Sequence, residues 1–152
     1  MLEQDYLMRI LLQFAEAIRR SWSRAVEDRD PRDAANMLER AVGDATDIDG
    51  ATLLSLSPES IASVMQVSGV DPRVSEYIAR SLLLASGYLG EAGEHELAAL
   101  RAEQARDTGA DAVATACPFC LSMLEDGLAS QDDALPVRDI AELLSDALAL
   151  SR

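Results

Sequence analysis

Residues 71–93 read DPRVSEYIARSLLLASGYLGEAG, and this stretch decides the fold class. Asp71-Pro72 supplies an N-cap followed by proline at the first helical position, where proline is favoured. The apolar residues that follow recur at intervals of three and four, which is the period of a helix with one buried face. Gly90 and Gly93 then separate this helix from a second helical pattern, so residues 82–105 are predicted to form an antiparallel helical hairpin. The side chains expected to face inward are Val74, Ile78, Leu82, Leu83 and Leu89.

Further helices are predicted before this hairpin. An amphipathic helix should run from Tyr6 to about Glu27, and a second helix should begin at Asp30-Pro31 and stop at Gly43. Residues 44–50 are acidic and rich in turn formers, which predicts a loop, and Ser57-Pro58 opens another helix. The first helix is expected to bury Tyr6, Leu7, Ile10, Leu11, Phe14, Ile18 and Trp22. The methionines interpreted as core filling are Met8, Met37, Met65 and Met123.

The pattern changes after Asp107. Residues 110–116 are small or β-branched and are bounded by turn formers, which predicts a short buried strand. A helix should follow from Cys117-Pro118 to Leu128, then a turn at residues 131–136, a second short strand at Val137 and a last helix over residues 140–150. The predicted fold is therefore mainly α. It consists of a helical bundle or helical-hairpin domain at residues 1–106 and a small strand-helix-strand-helix appendage at residues 107–152.

Composition excludes several classes of function. The chain carries 13 basic and 27 acidic residues, giving a formal net charge of −14, so it should repel nucleic acid and anionic lipid surfaces. It contains no apolar run of the length that a membrane span needs, and its first residues lack a basic signal-peptide region. We therefore expect a cytoplasmic protein that contacts neither nucleic acid nor membrane.

The chemistry of the sequence is concentrated in Cys117-Pro118-Phe119-Cys120. A cysteine at a helix N-terminus has its thiolate stabilised by free backbone N–H groups and the helix dipole. The three-residue spacing lets both sulfurs point at one atom, which is typical of a zinc site, an iron-sulfur cluster or a reversible disulfide. Three interpretations stay open: metal or cluster ligation through Cys117 and Cys120, a redox dithiol, or two cysteines that only pack.

Two cysteines give only half of the four ligands that structural zinc and most clusters need. The lone histidine, His95, is expected at a hairpin turn on the surface rather than in a metal site. A protein partner or a second copy in a homodimer could instead supply another pair of ligands. The sequence has no Ser-His-acid arrangement and no glycine-rich phosphate loop, so we expect no catalytic residues and no enzyme activity.

Two resemblances cover different parts of the chain. Residues 1 to about 105 resemble a family of small bacterial helical proteins of unknown function. The likeness runs in order through the opening MLEQDYLMRI, then residues 54–60 and residues 77–84. It implies a helical fold and brings no activity with it.

Residues from about 103 to 148 resemble the C-terminal piece of the cysteine-rich domain in heterodisulfide-reductase-type and glycolate-oxidase-type iron-sulfur subunits. The likeness rests on TGADAVATACPFCLSMLEDG at 108–127 and VRDIAELL at 137–144. It implies that Cys117 and Cys120 correspond to the closing CxxC of that domain's cluster site. In that family the pair works with an upstream cysteine and a Cys-Cys-Gly element, whereas no cysteine precedes Cys117 here.

Taken together, the residues predict a non-catalytic helical interaction protein with an incomplete CxxC site. That site would bind zinc or an iron-sulfur cluster with a partner or in a dimer. The alternatives are a purely structural scaffold in which the cysteines pack, and a small dithiol redox protein. A glutaredoxin-like interpretation of Cys-Pro-Phe-Cys is disfavoured because the preceding residues predict helices rather than the strands of a thioredoxin-type fold.

Overall fold

The computed structural model describes residues 2–128 and 135–150. Within these ranges the chain is mainly helical, as predicted, with two short strands near its C-terminal end. The helices are α1 Leu2–Val26, α2 Pro31–Thr46, α3 Gly50–Leu54, α4 Pro58–Val67, α5 Pro72–Glu91, α6 His95–Arg106, α7 Pro118–Leu128 and α8 Ile140–Leu150. The strands are β1 Val113–Thr115 and β2 Val137–Asp139.

Side-chain caps start several of these helices. The Asp30 carboxylate accepts the Asp33 N–H at 3.0 Å, and Asp71 accepts the Arg73 N–H at 2.9 Å. Proline follows each cap at the first helical position, where it has no N–H to leave unsatisfied. The predicted starts of α2, α4 and α5 are confirmed because such caps depend only on neighbouring residues.

The predicted end of α2 at Gly43 is wrong. The helix continues to Thr46 and ends at Asp47, which has a left-handed backbone, and α3 begins at Gly50. A Cβ on Gly43 would lie 2.5 Å from the Gly50 backbone nitrogen. Gly43 is therefore a packing residue inside the helix and does not end it. Of the loop predicted over residues 44–50, only residues 47–49 lie outside helices.

Helix α5 lies at the centre of the core. It packs against α1, α2, α6 and α7, and the hairpin that it forms with α6 confirms the prediction for residues 82–105. The inward residues predicted on α5 are all buried. At the turn, Gly93 has φ = 82°, a left-handed conformation that glycine adopts without strain.

Helix α6 is tied to α2 and α3 by a buried polar network. Arg101 forms an ion pair with Glu39 at 2.7 Å and donates to the Leu54 carbonyl at 3.0 Å. Gln104 donates to the same carbonyl and to that of Leu56. Carbonyls that end α3 thus receive donors from α6, which fixes the short helix against the hairpin.

Helix α1 buries only part of the predicted stripe. Leu7, Ile10 and Phe14 are buried, whereas Tyr6 and Trp22 are exposed, contrary to prediction. The core interpretation of the methionines holds for buried Met65 and fails for Met8, which is exposed; Met37 is half-buried, and the Met123 side chain is outside the described residues. The period of α1 is correct, but the helix carries a second apolar face that the prediction did not separate from the first.

The C-terminal part is a small parallel βαβ unit. Strands β1 and β2 pair in parallel, Val113 opposite Val137, and α7 connects them. Val113, Leu124 and Leu128 lie in the same apolar core as α5. No described residue of α8 is buried. The predicted turn at 131–136 falls mostly outside the described residues, and the division of the chain at residues 106/107 stays a prediction.

Candidate functional site

The two cysteines lie at the start of α7, immediately after β1. The Cys117 N–H donates to Thr115 Oγ1 at 3.2 Å, and the Cys117 carbonyl accepts the Leu121 N–H at 2.9 Å, the first helical hydrogen bond. Pro118 occupies the first helical position. Strand, cysteine and proline thus place Cys117 at the helix N-terminus, where the sequence predicted it.

Cys117 and Cys120 are both thiols, and both are half-buried. Burial, a hydrogen bond to Cys117 and the charge on Cys117 together raise the pKa of the Cys120 thiol to about 11, against the opposing effect of Arg80. The two sulfurs therefore lie within hydrogen-bonding reach, with Cys120 as the protonated donor near neutral pH. Two sulfurs this close can ligate one ion or form one disulfide.

Helix α5 supplies the surroundings of the pair. Arg80 is half-buried and lies over the Tyr77 ring, 5.8 Å from the ring centroid. Burial lowers the Arg80 pKa, and the charges on Tyr77 and Cys120 oppose this effect. Arg80 is thus a cation within electrostatic reach of the Cys120 sulfur, where it favours a thiolate over a thiol.

Tyr88 extends the same side of α5. Its pKa is raised to about 12, mainly by burial and also by the charges on Cys120, Glu91 and Cys117, while a hydrogen bond with the Ser21 hydroxyl of α1 lowers it. The nearby Ser81 hydroxyl, on the same helix, is fully buried and has no hydrogen-bond partner among the described residues. The Tyr88 hydroxyl is therefore the hydroxyl group within electrostatic reach of both cysteines, and Ser21 is its hydrogen-bond partner.

Arg80, Tyr88 and Ser21 were not predicted from the sequence. Arg80 and Tyr88 are eight residues apart, close to two helical turns, so they share one side of α5. A charged residue and a phenolic residue within the mainly apolar part of α5, residues 78–89, are the signal that could have identified them. Their proximity to Cys120 could not be predicted, because it depends on how α7 packs across α5.

The described residues do not provide a complete metal site. Nowhere in the described ranges do three or more histidine, cysteine or acidic side chains converge in a way that could hold an ion. His95 is exposed, as expected of a surface residue, and lines a separate surface groove with residues 93–97 and Leu100. Since zinc and most clusters need four ligands, the two thiols fit one half of such a site and not the whole.

No helix in the described part of the chain is both long and apolar enough to cross a bilayer.

Comparison with known proteins places this site in a recognisable sequence context. Residues 84–125 match the family model of the cysteine-rich domain (CCG). The matched segment includes Tyr88, Cys117 and Cys120 and leaves residues 1–83 and 126–152 unmatched, so the VRDIAELL part of the resemblance at 137–144 stays a prediction. It begins well before residue 103, where the sequence resemblance begins, and so includes most of the α5–α6 hairpin.

A curated relative points the same way. Over 51 residues the chain is 43% identical to one subunit of the dihydromethanophenazine:CoB--CoM heterodisulfide reductase of Methanosarcina barkeri (strain Fusaro / DSM 804). The alignment covers 34% of this chain and 12% of that protein. No solved structure gives a significant match. The resemblance to small bacterial helical proteins stays a prediction, and the part of the chain around the CxxC pair is similar to an iron-sulfur-type cysteine-rich domain.

Proposed function

We propose that this protein is a non-catalytic helical interaction protein whose CxxC pair supplies half of a metal or iron-sulfur site. A protein partner, or a second copy of the chain, supplies the other half. The observation that carries the proposal is the pair of neighbouring, half-buried sulfurs of Cys117 and Cys120 at a helix N-terminus. Because the pair is only half-buried, an approaching chain can reach it. Two thiols need such a chain to supply the remaining ligands of a four-ligand site.

The surroundings of the pair support thiolate ligation. Two thiolates side by side repel each other, and a nearby cation reduces that cost. Arg80 is in position to do so, and its stacking on Tyr77 fixes the guanidinium. The similarity to the cysteine-rich domain supports iron-sulfur chemistry in particular.

The test is metal content with solution mass on protein purified without oxygen. We expect iron with visible absorption after reconstitution, or about half an equivalent of zinc per chain in a dimer, in the wild type and in His95→Ala but not in the double serine variant. The comparison variant carries Cys117→Ser with Cys120→Ser. The matched control is His95→Ala, which removes a residue that can ligate metals but is not expected to do so here. Equal metal binding by the double serine variant would contradict the proposal.

A dithiol redox protein is the second candidate, favoured by the hydrogen bond between the two thiols. In that reaction two electrons and two thiol protons pass to an oxidising disulfide, which becomes two thiols as the Cys117–Cys120 bond forms. Equilibration with mixtures of reduced and oxidised dithiothreitol would show reversible loss of two hydrogens by mass. A pair that stays reduced throughout would remove this candidate.

A further inference from the structure

Arg80, on α5, is a half-buried cation without a carboxylate partner in the described part of the chain. It forms neither an ion pair nor a hydrogen bond with any described residue. The chain has 27 acidic residues, and a partly buried cation without one of them is costly, so a specific contact must hold it in place. Seven other arginines do pair with carboxylates: Arg19, Arg24, Arg32, Arg73, Arg101, Arg106 and Arg138.

Glu76 is the carboxylate with which Arg80 would ordinarily pair. It is exposed on α5 four residues before Arg80, and an acid one helical turn ahead of a base is the favoured order for an ion pair on a helix. The Glu76 charge acts on Arg80, yet the two groups form no ion pair. The Arg80 guanidinium instead lies over the Tyr77 ring, with its central carbon 5.8 Å from the ring centroid. The cation–π contact therefore prevails over the ion pair.

The Tyr77 ring is itself fixed by α1. Its centroid lies 6.0 Å from that of the Phe14 ring, with the two planes inclined by 34°, which is within the range of favourable aromatic pairs. Phe14 is only 1% exposed and belongs to the close-packed core, against which Tyr77 is also packed. A fixed core ring thus holds Tyr77, and Tyr77 selects one arrangement of the flexible Arg80 side chain.

The selected arrangement directs the charge of Arg80 toward the thiol site. Helix α7 packs across α5, and among the groups that act on Cys120 it is Arg80 that favours the thiolate. A guanidinium paired with Glu76 would have most of its charge cancelled at the Cys120 sulfur. The half-site therefore has its cation only while Arg80 stays apart from Glu76.

We propose that Tyr77 is a positioning residue of the thiol site: held by Phe14, its ring keeps the Arg80 guanidinium beside Cys120 and away from Glu76. This inference rests on the proposed function, since it concerns the cation that offsets the charge of two metal-bound thiolates. It also gives α1 a part in the site, although α1 lies outside the segment that matches the cysteine-rich domain.

The first test is a Co²⁺ titration of the reduced full chain, followed by the thiolate-to-cobalt absorption. Tyr77→Leu is expected to weaken Co²⁺ binding about tenfold, which is typical of losing a group that supports a metal ligand. Tyr77→Phe keeps the ring and is expected to bind within about twofold of the wild type. The matched control is Tyr6→Leu, which removes a similar ring, 5.3 Å below Arg9, whose charge is not among those acting on Cys120. Wild-type affinity in Tyr77→Leu would overturn the proposal.

A second pair of variants separates positioning from packing, because Tyr77→Leu also loses the contact with Phe14. Adding Glu76→Gln removes the competing carboxylate without restoring that contact, and is expected to recover Co²⁺ affinity about twofold. In an Arg80→Met background, Tyr77→Leu is expected to cause no further loss of affinity. No recovery with Glu76→Gln, or additive losses with Arg80→Met, would show that Tyr77 does not act through Arg80.

The alkylation rate of Cys120 keeps this inference separate from the metal proposal. A wild type without the cobalt absorption would contradict the metal site, but iodoacetamide at pH 9 still reports the effect of Arg80 on the thiol. Tyr77→Leu is expected to slow the reaction of Cys120 about threefold, and Tyr77→Phe is expected to react like the wild type. Equal rates in Tyr77→Leu and the wild type would overturn the role of Tyr77, whatever the metal result.

Discussion

The thiol of Cys120 is subject to opposing influences. Burial and the neighbouring Cys117 hold its proton in place, and Arg80 favours the loss of that proton. A metal ion or an oxidant must overcome the first two before Cys120 can act as a thiolate. This arrangement keeps Cys120 a poor nucleophile near neutral pH.

The first residue-scale prediction concerns alkylation. Because the pKa of Cys120 is about 11, its reaction with iodoacetamide should be slow at pH 8 and should rise steeply between pH 9 and 11. Peptide mass spectrometry after a timed pulse gives the rate at each cysteine. In Cys117→Ala the hydrogen bond and the neighbouring charge are gone, so the Cys120 profile should move to lower pH. An unchanged profile in that variant would show that Cys117 does not influence Cys120.

A second prediction links these groups to stability. The folded-state pKa of Cys120 is raised from 9.0 to about 11, and that of Tyr88 from 10.0 to about 12. Both groups hold their proton more tightly in the folded state, so their contribution is complete below pH 9 and is lost as the pH rises toward 12. Urea unfolding should show this decline, and Tyr88→Phe should weaken it above pH 10. Equal pH dependence in the variant would contradict the assignment to Tyr88.

Among the helices, the junction of α2, α3 and α6 combines two kinds of close contact. Gly43 and Gly50 allow the α2 and α3 backbones to approach, since a Cβ on either would lie 2.5 Å from backbone atoms of the other segment. Arg101 and Gln104 then satisfy the carbonyls at the end of α3. The short helix α3 is thus fixed by tertiary contacts rather than by its own length.

Two glycine substitutions should have opposite effects on stability. Gly43→Ala should lower the free energy of unfolding by about 1–3 kcal/mol, because its methyl group collides with the Gly50 backbone. Gly90→Ala, in α5, meets no atom within 4 Å and should raise it by about 0.5–1 kcal/mol. Urea denaturation measures both. Similar values for the two variants would argue against the close α2–α3 approach.

The Arg101 network gives a further prediction at this scale. Arg101→Met leaves the Glu39 carboxylate without its cation and removes a donor from the Leu54 carbonyl, so it should cost about 3–5 kcal/mol in the free energy of unfolding. Arg40→Met, at an exposed position of α2, is the control and should change it by less than about 0.5 kcal/mol. A loss below about 1 kcal/mol for Arg101→Met would show that the ion pair contributes little.

Elements that depend on near neighbours could be predicted from the sequence. Asp30, Ser57 and Asp71 cap their helices through bonds to residues two or three positions ahead, so their starts are correct. The length of α2 could not be predicted, because Gly43 stays helical through contact with α3. The exposure of Trp22 was missed because a repeat of three and four residues also occurs at helix positions that no neighbouring element covers.

At the scale of the whole molecule, a helical frame around α5 carries the cysteine pair at the start of α7. The sequence predicted the cysteines and their helix-N-terminal position, because both follow from the local order of strand, CxxC and helix. It could not predict that Arg80 and Tyr88 lie beside them, because α6 and β1 separate α5 from α7 along the chain. Under the proposal, the other half of the metal site comes from another chain, so no local pattern around Cys117 could reveal it.

The most direct measurement is a titration of the reduced protein with Co²⁺, followed by the thiolate-to-cobalt charge-transfer absorption. Each coordinating thiolate adds to this absorption, so it reports directly on the sulfurs that ligate the ion. The wild type should develop the band, Cys117→Ser and Cys120→Ser should each weaken it, and the double variant should lack it. A wild-type spectrum identical to that of the double variant would contradict the claim that this pair is half of a metal site.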